Sequence, residues 1–204
     1  MKMITILELP MNCRTIAAAL FLVCSSTLSS CSKQEGTSGQ NQIPVLTQGS
    51  QSDSVAGITW RVSGRWTPGP ARQMRVATYG IPAAHGGKEG SECSVYYFGP
   101  SDGGDVEANM TRWIGQFEPT GDPVRSSKTV DGMKIHLIDL SGVYIASTGP
   151  MMGGPKERKE GYRMLAAIVE GPEGSVFFKT TGPAASIAAA EREFNELVGS
   201  FSKM

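Results

Sequence analysis

From Gly57 onward the apolar residues alternate in short runs broken by Gly and Pro, which is the period-two pattern of half-buried strands. The alternation predicts strands near 58–63, 71–79, 92–98, 124–130, 133–140, 142–147, 162–170 and 175–181. One run is apolar on both sides: Met164, Ala166 and Ile168 share one face, and Leu165, Ala167 and Val169 share the other. A strand with two apolar faces belongs in the middle of a sheet that is covered on both sides. Val95 and Tyr97, set against Tyr96 and Phe98, repeat that signature.

Two segments change to a period of three to four. Over 104–117, Val106, Met110, Trp113 and Phe117 form one stripe, Asp105 and Glu107 suit the positive N-terminal end of a helix, and Pro119 follows its stop. A second helix is expected from Pro183, a residue suited to the first helical position, with Ile187, Phe194, Leu197, Val198 and Phe201 along one side to the end of the chain. These elements predict one α+β domain over 55–204, a largely antiparallel sheet covered by two helices.

The N-terminal segment follows neither period. Arg14 precedes the short apolar run Ile16 to Val23, and small residues lead to Cys31. This is the order of basic start, apolar core and cleavage site found in a secretory signal. The run is well short of the roughly 20 residues that a membrane-spanning helix needs. Leu28-Ser29-Ser30-Cys31 resembles the lipobox of bacterial lipoproteins. That resemblance implies a signal peptide over 1–30, cleavage before Cys31, and a Cys31 thiol and amino group that carry acyl chains.

Cys24 follows bulky residues and Cys13 precedes the apolar core, so neither fits the motif. The signal reads equally from Met1 or Met11, with the same mature product. Two or three acyl chains anchor a protein stably, whereas one holds it only marginally. Ser32 stands where many enterobacterial lipoproteins retained in the inner membrane carry aspartate, which points to the outer membrane. Residues 31–54 are rich in Ser, Gly, Gln, Thr and Asn and are expected to act as a tether spanning roughly 25–30 Å.

Charge and cysteine content narrow the function. The chain has 19 basic and 19 acidic residues; removal of Lys2, Arg14 and Glu8 with the signal leaves 17 and 18. A near-neutral exported domain lacks the basic footprint of a nucleic-acid binder, so no nucleic-acid partner is expected. Of four cysteines only Cys93 falls within the domain, which excludes an intramolecular disulfide there and favours a buried thiol acting as a small hydrophobe.

Motifs for chemistry are sparse. Gly86-Gly87-Lys88 fails as a phosphate loop because Pro82 and Glu89 occupy positions that need Gly and Ser or Thr. His-Glu-x-x-His and Cys-x-x-Cys do not occur. His85, Glu89, Glu92 and Cys93 are the densest reactive group, and a thiol enzyme would use Cys93 as nucleophile with His85 as its base. His136, between Lys134 and Ile138 on a strand, reads as structural. Met151 and Met152 lie in a long connection expected from about Ser147 to Gly161; two thioethers alone make a poor copper site, and they read better as an adaptable contact tip for a partner. No cofactor and no metal site is expected.

The strand order with one helix inside the run, a closing helix that ends in Ser200-Phe201, and the segments around Trp60, Trp66 and Val95-Tyr96-Tyr97-Phe98 resemble the PsbP-like fold. The resemblance spans about 57–203 and implies an α/β/α sandwich. Proteins of this fold mostly serve as binding or assembly subunits, among them extrinsic photosystem subunits, a GTPase-binding import factor and periplasmic lipoproteins. The expected function is therefore a lipid-anchored, periplasm-facing, non-enzymatic binding or assembly protein of the bacterial envelope, with a membrane anchor and a protein or small-ligand partner. The thiol enzyme is the alternative.

Overall fold

The computed structural model describes residues 51–147 and 155–204. Cys31, Met151 and Met152 lie outside the described residues, as does nearly all of the expected tether. The elements run in the order β1 (Gln51–Val55), β2 (Ile58–Val62), β3 (Thr67–Pro68), β4 (Ala77–Ile81), β5 (Ser91–Tyr97), α1 (Val106–Ile114), β6 (Phe117–Pro119), β7 (Val124–Val130), β8 (Met133–Ser147), β9 (Lys156–Gly171), β10 (Gly174–Pro183), α2 (Ala184–Gly199) and β11 (Ser202–Lys203).

The main sheet has the order β3-β4-β5-β10-β9-β8-β6, with β7 also paired to β8, and every pairing is antiparallel. A small sheet, β1-β2-β11, packs beside α2. As the two-faced pattern requires, β9 is central. Leu165, Ala167 and Val169 join α2 residues Ile187, Ala190, Phe194, Leu197 and Val198, together with Ile58 and Trp60 of β2, in one core. Met164, Ala166 and Ile168 join Met110 and Trp113 of α1, with Phe117, in the other. Each fully buried Leu, Ile or Val contributes about 1.5–3 kcal/mol, so this strand supports both layers at once.

Several boundaries differ from the sequence expectation. The strand expected over 71–79 begins only at Ala77, because the Arg75 amide turns back onto the Arg72 carbonyl and Met74 takes a positive φ of 65°. Helix α1 stops at Ile114 and is closed by the Gly115 amide on the Thr111 carbonyl. Phe117 therefore reaches the core from β6 rather than from the helix. The strands expected over 133–140 and 142–147 are one strand, β8, with a bulge between Gly142 and Tyr144.

The end of the connection expected over 147–161, residues 156–161, is strand. Lys156 to Lys159 pair with Ser147 to Tyr144, and their charged side chains stand largely in solvent beyond the core, so no apolar alternation announced them. The chain closes on β11 rather than on helix. Strand β1 begins at Gln51, four residues ahead of the expected domain start, and Asp53 accepts a hydrogen bond of 2.5 Å from the buried Tyr79 hydroxyl.

Two large buried polar groups on the α2 side, Tyr79 and Glu193, have their partners. Tyr79 also accepts the Trp60 indole N–H at 3.0 Å, and burial, with Asp53 adding to it, pushes its phenol well above the ordinary range. The Glu193 carboxylate is 5% exposed and accepts from Trp66 Nε1 at 2.9 Å, Arg65 Nη1 at 2.9 Å and Ser63 Oγ at 3.2 Å. A buried carboxylate is tolerable only with such partners.

Candidate functional site

A nine-residue helix is about 13 Å long at 1.5 Å per residue, too short to cover one face of an eight-stranded sheet. Helix α1 covers Phe177, Ile168 and Ile138, and among the described residues no second helix lies on that face. Strand alternation sets what lines it. Glu92, Ser94 and Tyr96 of β5 lie beside Thr181, Lys179 and Phe177 of β10 in register. Tyr144 of β8 and Lys159 and Tyr162 of β9 complete a cleft of about 550 Å³. A recess of about 160 Å³ beneath α1, walled by Trp113, Phe98 and Arg112, shares Tyr96 and Lys179 with it.

The bulge shapes this lining. Glu160 and Gly161 stand opposite Val143, which advances the alternation of β9 by one residue and sets Lys159, not Glu160, against Tyr144. Gly161 has φ +67°, a conformation that strains any side-chain-bearing residue. Tyr144 and Tyr162 then stack with ring centroids 5.8 Å apart, and Phe117 backs Tyr144 at 5.0 Å. Burial pushes both phenols up, with the hydrogen bond to Glu89 adding to the effect at Tyr162.

Most cleft charges are paired. Arg75 lies 2.6 Å and Arg72 3.7 Å from Glu92, and Arg75 also covers the Tyr96 ring at 5.7 Å. Lys159 lies 3.4 Å from Glu89, which accepts from the Tyr162 hydroxyl at 2.5 Å. That hydrogen bond, helped by Lys159 against slight desolvation, holds the Glu89 carboxyl below its usual value.

Lys179 is different. Among the described residues no carboxylate lies within 4 Å of its ammonium, which donates to Gln116 and sits 5.3 Å from the centre of the Tyr144 ring. Desolvation first, then the neighbouring Arg75 and Arg112, pull its pKa down to about 8, against a small opposing pull from Glu92. Thr181 also lines the cleft, and its buried hydroxyl has no hydrogen-bond partner among the described residues.

The reactive group expected from the sequence is divided by the fold. Cys93 has no exposed surface and points into the α2-side core with Val95, opposite the cleft. Burial, opposed by the nearby Thr180 hydroxyl, pushes its thiol up to about 12. His85 stands on an exposed turn. A nucleophile needs an accessible thiolate beside a base, so the buried Cys93 leaves the Cys93–His85 enzyme reading without support.

Of the same group, Glu89 and Glu92 belong to the cleft, as structural partners of its cations. His136 pairs with Glu170 across β8 and β9 at 2.6 Å, the structural role expected. Sequence reasoning missed Lys179, although a lysine on one face of the apolar run Val176 to Phe178 was a visible anomaly. Among the described residues no cluster of His, Cys, Asp and Glu could hold a metal ion, and no helix is long and apolar enough to cross a membrane.

Two helices on opposite faces of a large antiparallel sheet place this domain in the PsbP-like class of α+β folds. A solved structure makes the likeness concrete. The solution structure of cyanobacterial PsbP (CyanoP) from Synechocystis sp. PCC 6803 superposes with a TM-score of 0.51 at 13% identity, covering 83% of this chain and 98% of that one. No protein-family model and no curated protein matches the sequence.

Proposed function

We propose that this is a lipid-anchored, periplasm-facing binding or assembly protein of the bacterial envelope, held through Cys31 and presenting the open sheet face beside α1 to its partner. The observation that carries the reading is the cleft itself. Four strands and a helix contribute to a concavity within the 300–1,000 Å³ typical of ligand sites, with flat aromatic walls and more cations than carboxylates. The sequence order of basic start, apolar core and Leu28-Ser29-Ser30-Cys31 supports the anchor. The PsbP-like resemblance supports binding rather than turnover, as an analogy of fold. Met151 and Met152 offer a second contact for a protein partner.

The anchor is tested with Cys31→Ser. The variant is expected to leave the membrane fraction and to lose acyl mass; a variant that still begins at residue 31 with acyl groups attached overturns the lipobox reading. The cleft is tested with a photo-crosslinking amino acid in place of Ser147, which lines it, and in place of Arg192, which is exposed on α2. Irradiation in the native envelope is expected to give an adduct from position 147 and none from position 192, its mass separating a small molecule from a protein. Equal adducts from both positions, or none, defeat the cleft as the binding face.

A further inference from the structure

Each cation of the cleft can be matched to a carboxylate except at one point. Glu92 serves Arg72 and Arg75, and Glu89 serves Lys159. Among the described residues, Lys179, where cleft and recess meet, has only the neutral Gln116 oxygen, and Arg112 across the recess has only the neutral Asn109 oxygen. Lys179, half-buried without a counter-charge, is costly unless an anion joins it, and the exposed Arg112 adds a second positive charge at the rim of the recess. Two residues along β10 from Lys179, the Thr181 hydroxyl lines the cleft, buried and without a partner among the described residues.

Around this point the surfaces are flat and aromatic. Tyr96 lines both cavities, Trp113 and Phe98 wall the recess, and the stacked Tyr144 and Tyr162 wall the cleft. We infer that the junction of cleft and recess is a binding site for a small aromatic carboxylate, its anionic group received by Lys179, Arg112 and Thr181 and its ring laid against Tyr96 and Trp113. An ammonium acts as a point charge and a guanidinium as a planar fork, so the pair suits a carboxylate, while the ring adds apolar burial that an inorganic anion lacks. This inference rests on the cleft's being the binding face.

The site makes a pH-dependent demand. The groups that face Lys179 are Arg75, Glu92 and Tyr96 from the β4–β5 side, Arg112 and Gln116 from α1 and the turn after it, Tyr144 from β8, and Lys159 and Tyr162 with Glu89 from the β9 side. Tyr144, Tyr162 and Lys159 are shifted upward and Glu89 downward, away from the interval between pH 7 and 9. Protonation of Lys179 falls through that interval, and apparent affinity scales with the fraction of competent protein.

The test uses benzoate, cyclohexanecarboxylate and inorganic phosphate as probes, followed by NMR of the Lys179 side chain and the Trp113 indole in the full chain. Benzoate is expected to shift both signals, to bind more tightly than the other two probes, and to weaken about tenfold from pH 7 to 9. Lys179→Gln is expected to reduce benzoate affinity at least tenfold and to flatten the pH dependence, and Arg112→Gln to reduce it while moving the pH dependence to higher pH. Unmoved signals, or benzoate binding indifferent to Lys179→Gln in a folded variant, overturn the inference. If the probes fail while position 147 still gives a protein adduct, the carboxylate site falls and the binding face stands. If both fail, both fall.

Discussion

Lys179 is a residue whose cost is readable at its own scale. Its ordinary pKa near 10.5 is lowered to about 8 by burial and by Arg75 and Arg112, so the folded protein disfavours the ammonium. Below pH 8 the lysine is charged in both folded and unfolded chains and the penalty is complete; between pH 8 and 10.5 the folded state has shed the proton and the penalty fades. Lys179→Met is therefore expected to stabilise the domain by about 1–3 kcal/mol at pH 7, allowing for the surface the side chain keeps at the cleft, with little gain at pH 10.5. Urea melts at the two pH values check this, and a destabilised variant at pH 7 would contradict the assigned penalty.

Trp113 gives the opposite sign. It is 5% exposed and meets Phe177 edge-on at 6.3 Å, so Trp113→Ala should cost about 3–5 kcal/mol in the same melts. A loss below about 1 kcal/mol would mean that α1 is not held to the sheet by this side chain.

Elements were legible where one periodicity governed a whole segment. Helix α2 and strands β5, β9 and β10 followed from apolar repeats alone, and so did the two-faced character of β9. Segments held by pairing rather than by burial were not. In β1, Gln51 to Ser54 are exposed polar residues whose strand form comes from register with Val62 to Thr59, and the charged start of β9 owes its form to Tyr144–Ser147. The cleft was hidden for the same reason, since the strand residues that line it come from four strands and only their register brings Lys179, Tyr144 and Tyr162 together.

A chain beginning at Gln51 is expected to melt cooperatively, and one beginning at Val55 to melt at a lower temperature, because it loses β1 and the Asp53 acceptor of Tyr79. Asp53→Ala alone should cost about 1–3 kcal/mol, the penalty of an unsatisfied buried hydroxyl. Equal melting temperatures for the two truncated chains would return residues 51–54 to the tether.

For the whole molecule, the placement of β1 decides how the domain meets its surroundings. β1 and β11 flank β2, so the domain's first and last strands lie together in the small sheet on the α2 side. The cleft opens through the opposite face of the main sheet, beside α1. Ser186, near the start of α2, receives the Ala84 amide at 3.1 Å and donates to the Glu89 carbonyl at 2.9 Å, so the loop carrying one lip of the cleft is fastened to the helix behind. If the domain is held through Cys31 as proposed, its first described strand is on the α2 side, so the attachment enters the domain at the rear and the mouth of the cleft faces the other way.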